Sequence, residues 1–162
     1  MSEERERESL PDETRAAIEE ARMVLPGMQA LFGFQLIAVF NERFDQLSAS
    51  LRLAHFGSLI LVAIAIALVM APAAFHRIAE RGWVSRHLID LTSNFLTSGM
   101  LALFLALVFE VGVVSTVVLH SVLMSALISA GLAVVFALCW FIFPLRLRQH
   151  HRRSRKAGSS AR

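Results

Sequence analysis

Two long uncharged apolar runs, residues 56–75 and 122–144, most constrain what this chain can fold into. Only Gly57, Ser58 and Pro72 interrupt the first run, and only two serines and a glycine interrupt the second before its closing proline. About 20 apolar residues in a helix cross a hydrocarbon core of roughly 30 Å. Hydrophobic residues make up 56% of the chain and charged residues 18%, against about 25% charged in soluble domains. The sequence therefore predicts an integral membrane protein.

The apolar stretches predict an all-α fold, a membrane four-helix bundle within residues 23–145. We predict the membrane spans at about residues 23–41, 53–75, 91–114 and 117–144. The first helix is the least apolar. It is predicted to start near Pro11, to be kinked but not ended by Pro26, and to reach Phe44. Its acidic first part, residues 1–22, then forms a long extension in the cytoplasm.

Basic residues are distributed unequally between the two sides of this topology. Fourteen of the 16 lysines and arginines fall in the N-terminal segment, the second loop and the C-terminal tail, and only Arg43 and Arg52 fall on the other side. Cytoplasmic loops carry the excess of basic residues, which predicts both termini in the cytoplasm. The tail, residues 146–162, is predicted to be disordered. It would contact anionic lipid, at about 1 kcal/mol per basic residue, through Arg146, Arg148, Arg152 and Arg153, without a role for nucleic acid.

Small residues recur every four positions on two of the predicted helices. They are Ser121, Ser125 and Ser129 on the fourth helix, and Ala63 and Ala67 on the second. Residues four apart share a helix face, and small side chains let membrane helices approach closely. We interpret both stripes as packing surfaces, within the bundle or between subunits. The alternative for the serines is a hydroxyl track that lines a polar cavity.

One face of the first helix combines charged, amide and small residues. At 100° per residue, this face lies within about 60° of Gln29, and it includes Arg22, Gly33, Leu36 and Phe40. Gln35 lies about 120° away from Gln29. Amides in a membrane helix favour the protein interior, because lipid leaves their donors unsatisfied. This face is a candidate pore lining or interface in an oligomer, and an interhelical hydrogen bond is the simpler alternative.

Glu110 is the most informative single residue, because it is a lone carboxylate among leucines, valines and phenylalanine. Such a group is costly unless it is paired, protonated or facing water. The predicted partners on the same side are Arg43, Arg52, His55 and His120. A fixed ion pair is one interpretation. A proton or cation site formed by Glu110, His120 and Arg43 is the other.

No catalytic set is visible, since the chain has no phosphate-binding glycine loop, activated serine motif or zinc-binding spacing. The single cysteine, Cys139, lies within an apolar run and is expected to pack there. The sequence therefore predicts neither an enzyme nor a metal or cofactor.

Three segments together resemble a known family: Pro26-Gly27-x-Gln29-x-Leu31-x-Gly33-Phe34-Gln35, Asn41-Glu42-Arg43-Phe44 and Ala71-Pro72-Ala73-Ala74-Phe75-His76-Arg77. Over roughly residues 13–145, the chain is similar to a bacterial family of small four-helix membrane proteins that is described as a domain of unknown function. Some members carry an automatic sodium:proton antiporter label. The resemblance implies the fold and a place in the cytoplasmic membrane, but no role for the matching residues.

Together these patterns favour a multi-pass protein of the bacterial cytoplasmic membrane that forms a homo-oligomer, because one four-helix protomer has little interior for a pathway. Ion or proton permeation or exchange is the leading hypothesis for its function. The alternative is a membrane scaffold, accessory subunit or sensor that transports nothing.

Overall fold

A computed structural model describes residues 10–78 and 86–147, which are helical apart from two turns. The helices are α1 (Leu10–Ala38), α2 (Ala49–Ile78), α3 (Arg86–Leu119) and α4 (Val122–Phe136). A π-helical segment, Ala137–Ile142, continues α4, and helix extends to Leu147. The described residues contain no strand, so the prediction of an all-α fold with four helices is confirmed.

Three stretches are long and apolar enough to cross a membrane: Ala49–Phe75, Leu91–Leu119 and Val122–Leu147. Large apolar side chains on these stretches face outward, among them Phe56, Ile64 and Leu123. Exposed apolar area on this scale is unusual for a soluble monomer and normal for a surface that lipid covers. The three stretches therefore support a membrane protein, and α1 is not among them.

Helix α1 runs through Pro26 without ending, as predicted. It stops at Ala38, however, so the predicted continuation to Phe44 is wrong. The Asn41 side chain explains the end, because its Oδ1 accepts a hydrogen bond from the backbone N–H of Arg43 at 3.0 Å. Asparagine side chains compete in this way with helical hydrogen bonds. Residues 39–48, the α1–α2 turn, follow.

The junction of α3 and α4 lies later than the predicted break between residues 114 and 117. His120 has φ 52°, and its backbone N–H donates to the carbonyl of Thr116 at 3.0 Å. This is a left-handed helix C-terminus. The next residue, Ser121, caps α4 by accepting from the N–H of Met124. A run of valines cannot end a helix by itself, whereas a left-handed residue followed by a capping serine does.

Proline 144 does not end the last helix, which was predicted to stop there. The backbone N–H of Phe143, just before it, donates to the carbonyl of Leu138 five residues earlier. Proline lacks the N–H that a regular helix needs and crowds the carbonyl four residues before it. A wider turn relieves the crowding. The ring of Trp140 packs edge-on against Phe136, with centroids 4.8 Å apart.

The chain divides into two compact units, residues 1–107 and 108–162. In the first unit, Met28, Ala65, Val69 and Ala102 form a buried apolar core. Gly99 brings α3 close to α2 there, since a Cβ on it would lie 2.9 Å from Cγ2 of Val69.

In the second unit, Gly112 and Ser129 are in close contact. A Cβ on Gly112 would lie 3.0 Å from the hydroxyl oxygen of Ser129. Small residues therefore allow close helix contact in each unit, as expected in membrane proteins.

Candidate functional site

Three buried polar side chains in the first unit form the candidate site. Gln35 on α1 is 3% exposed, and His55 and Ser58 on α2 are 2% and 0% exposed. We call these residues the buried polar cluster. Polar groups cut off from water are costly unless they are hydrogen-bonded, so their partners define what the cluster can do.

The amide of Gln35 and the hydroxyl of Ser58 connect three helices. Nε2 of Gln35 donates to Oγ of Ser58 at 2.7 Å. The same hydroxyl donates to the backbone carbonyl of Ala106 on α3 at 3.0 Å. A hydroxyl has one proton to donate and two lone pairs that accept, so Ser58 uses both capacities here. The chain of bonds runs from α1 through α2 to α3.

His55 is bound to the last turn of α1. Its Nε2 lies 3.1 Å from the backbone carbonyl oxygen of Gln35. A carbonyl only accepts, so Nε2 carries the proton of this hydrogen bond.

The spacing along α2 explains why these residues meet. His55 and Ser58 are three residues apart, and the buried face continues through Val62, Ala65 and Val69. Steps of three and four residues keep side chains on one helix face. The predicted small-residue stripe lies elsewhere on α2, because Ala63 is half-buried and Ala67 is exposed.

The candidate pore face of α1 is mostly exposed in the structure. Gly33 is half-buried, and Arg22, Gln29, Leu36 and Phe40 are exposed. Phe40 lies beyond the end of α1, in the α1–α2 turn. Of the two amides in the predicted span, Gln35 makes the interhelical hydrogen bond and Gln29 faces outward.

The three residues of the predicted ion or proton site lie in different environments. Arg43 is exposed in the α1–α2 turn, Glu110 is half-buried on α3, and His120 is exposed at the α3–α4 junction. Glu110 and His120 belong to the second unit, whereas Arg43 belongs to the first.

The serine stripe is not uniform in the structure. Ser121 is the helix cap, and Ser125 is buried and donates its hydroxyl to the Ser121 carbonyl at 2.8 Å. The hydroxyl oxygen of Ser129 is buried and has no hydrogen-bond partner among the residues that the structure describes. In the basic tail, Arg146 is exposed, and Arg148, Arg152 and Arg153 lie outside the described residues.

The described residues contain no group of three His, Cys, Asp or Glu side chains that could hold a metal ion. Cys139 is expected from the sequence to pack against its neighbours. In the structure it is a free thiol that is exposed on the last helix. Sequence reasoning named His55 only as a partner for Glu110 and placed Ser58 only as an interruption of an apolar run. The sequence signal for the cluster is the pair His55 and Ser58, two polar residues three positions apart at the start of that run.

Comparison with known proteins agrees with the resemblance seen in the sequence. No curated protein and no solved structure matches the chain. A family model described as "Family of unknown function (DUF6328)" matches residues 3–144. Since this match covers most of the 162 residues, the chain belongs to the DUF6328 family, a family of unknown function.

Proposed function

We propose that this chain mediates permeation or exchange of protons or small cations across the bacterial cytoplasmic membrane, as a homo-oligomer and not as an enzyme. The observation that carries the proposal is the buried polar cluster, because His55 and Ser58 lie on the stretch of α2 that is long and apolar enough to cross a membrane. Polar and ionisable groups at membrane depth are expensive, and they mark ion and proton pathways in many membrane proteins.

His55 is the member of the cluster with an ionisable side chain. Its Nε2 is engaged with the Gln35 carbonyl, and this contact holds the imidazole within the cluster. The amide of Gln35 and the hydroxyl of Ser58 fix the surrounding helices. In this proposal they position the imidazole, and they do not carry the proton themselves.

The proposed topology adds α1 as a fourth membrane span and places both termini in the cytoplasm. The unequal distribution of basic residues supports this orientation. It places the basic tail on anionic lipid. The exposed face of α1 supports the oligomer, because the amide of Gln29 has to find a partner if it lies at membrane depth. A second subunit would supply that partner along Gln29, Gly33 and Leu36.

Proton flux into liposomes that contain the purified protein tests the proposal. The informative variant is His55→Gln, because a glutamine amide can still donate to the Gln35 carbonyl but cannot titrate. We expect proton flux in the wild type and loss of flux in His55→Gln. His120→Gln and Glu110→Gln test the two titratable residues of the site predicted from the sequence. Equal flux in wild type and His55→Gln would remove His55 from the pathway.

The hydrogen bonds of Ser58 also favour a second candidate function. Both capacities of its hydroxyl are used within the protomer, as in a static connection between helices. A membrane scaffold, accessory subunit or sensor needs such a connection and no pathway. Liposomes in which wild-type protein moves neither protons nor sodium above the protein-free level would favour this candidate.

A further inference from the structure

The α1–α2 turn is exposed except at two positions. Its charged and amide side chains are all exposed: Asn41, Glu42, Arg43, Asp45 and Gln46. Phe44 and Leu47 are half-buried. A phenylalanine in the middle of a charged turn would be solvent-exposed by default, so its inward position needs a cause.

Backbone hydrogen bonds on both sides hold Phe44 in place. Its N–H donates to the carbonyl of Asn41 at 2.8 Å, and its carbonyl accepts from the N–H of Leu47 at 3.1 Å. The Asn41 side chain further fixes the backbone through Arg43. These bonds fix the backbone of the turn at Phe44, and with it the direction in which the side chain leaves the backbone.

The ring of Phe44 lies on His55. The two ring centroids are 5.3 Å apart and the planes meet at 69°, an edge-to-face contact. His55 is six residues from the start of α2, or roughly 9 Å along the helix axis. It is nevertheless only 2% exposed. At this end of α2, an apolar ring stands between the charged turn and the buried polar cluster.

We propose that Phe44 is the cover that keeps water and ions of the α1–α2 turn away from the buried polar cluster, and thereby controls access to His55. The role of this cover in transport rests on the proposed function, whereas the shielding of His55 by Phe44 does not depend on it. Displacement of the ring would connect the imidazole to the aqueous side, and its return would close that connection.

Accessibility of a cysteine at Ser58 tests the cover directly. The protein carries Ser58→Cys as reporter and Cys139→Ser to remove the native thiol, and the probe is a charged, water-soluble thiosulfonate in detergent solution. Thiol modification requires the thiolate and therefore contact with water. With Phe44 present, we expect slow labelling. With Phe44→Ala, labelling should be about 2- to 13-fold faster, the range that loss of an aromatic pair of this geometry implies.

Two variants make this result specific to Phe44. Phe40→Ala removes the same ring from the same turn at a position that is 86% exposed, and it should leave labelling slow. Phe44→Leu keeps an apolar side chain and should also leave labelling slow. Fast labelling with Phe44 in place, or equal rates for Phe44→Ala and Phe40→Ala, would overturn the proposal.

Proton flux separates this inference from the proposed function. If Phe44→Ala speeds labelling but neither it nor the wild type moves protons into liposomes, the cover is correct and the transport function is wrong. If wild-type flux is present but labelling does not depend on Phe44, the cover is wrong and the transport function stands. Should Phe44→Ala not fold, Phe44→Val takes its place. Faster labelling of Ser58→Cys in Phe44→Val than with the native Phe44 would then support the cover, and equal rates would overturn it.

Discussion

Ser58 on α2 donates its hydroxyl proton to the backbone carbonyl of Ala106 on α3, across 3.0 Å. The same oxygen accepts from Gln35 on α1 at 2.7 Å. One side chain with no exposed surface therefore joins the three helices of the first unit. In a membrane setting, where apolar side chains gain little from packing against each other instead of lipid, such bonds contribute to helix association.

Replacing Ser58 with alanine should lower the free energy of unfolding by about 1 kcal/mol, because the Gln35 amide loses its acceptor. The measurement is unfolding of the purified protein in mixed micelles by added sodium dodecyl sulfate. Ser98→Ala is the matched control, because Ser98 lies on α3 with an exposed side chain. Equal stability of both variants would show that the hydrogen bonds of Ser58 do not hold the helices together.

The helices could be predicted from sequence, but the face on which they meet could not. Apolar length is a strong signal, because lipid demands about 20 apolar residues per span. Helical periodicity gives the angle between two residues of one helix, such as Gln29 and Gln35. It does not say which of the two faces the neighbouring helix. On α2 the apolar residues surround the whole helix, so hydrophobicity does not distinguish the buried Ala65 from the exposed Ala67.

Gly99 and Gly57 offer a test of close helix contact. A Cβ on Gly99 would meet Cγ2 of Val69 at 2.9 Å and the carbonyl oxygen of Ala65 at 3.4 Å. Gly99→Ala should therefore destabilise the protein by about 1–3 kcal/mol through overpacking.

The control is Gly57→Ala, since a Cβ there would meet nothing within 4 Å. This change should leave stability unchanged or raise it by up to about 1 kcal/mol through helix propensity. Thermal unfolding monitored by circular dichroism measures both. Similar effects of the two substitutions would contradict the tight contact between α2 and α3 at Gly99.

His120→Gly should stabilise the protein, because His120 has a positive φ of 52°. The left-handed conformation costs a residue with a Cβ roughly 1 kcal/mol, and glycine is free of this cost. Asparagine, which tolerates this conformation, should fall between histidine and glycine. Thermal unfolding gives the order. A loss of stability in His120→Gly would indicate that the imidazole makes a contact worth more than the strain, as the predicted ion site requires.

Labelling of single cysteines tests the proposed topology. In a Cys139→Ser background, cysteines at Ser50 and Ser159 should react from opposite sides of intact cells. The expectation follows from the positive-inside rule and the 14 basic residues on one side against 2 on the other. An impermeant maleimide added outside should label Ser50→Cys, at the start of α2, and not Ser159→Cys. Labelling of both from outside would mean that one of the three apolar stretches between them does not cross the membrane, and labelling of Ser159→Cys alone would mean that the orientation is inverted.

Ser129→Ala and Ser125→Ala should change stability in opposite directions, although both serines belong to one stripe on α4. The hydroxyl of Ser129 is buried and has no hydrogen-bond partner within the described part of the chain, so its removal should leave the free energy of unfolding unchanged or raise it by up to about 1 kcal/mol. The hydroxyl of Ser125 donates to the Ser121 carbonyl, so its loss should cost about 0.5–1 kcal/mol.

Ser129→Leu should destabilise the protein strongly, because Oγ of Ser129 already lies 3.0 Å from where a Cβ on Gly112 would be. Unfolding in mixed micelles compares the three variants under the same conditions. A stability loss in Ser129→Ala equal to that in Ser125→Ala would mean that the Ser129 hydroxyl has a partner in the membrane, either water or a second subunit. That result would favour the hydroxyl track over packing as the role of this stripe, and ion flux through Ser129→Ala would then be the next quantity to measure.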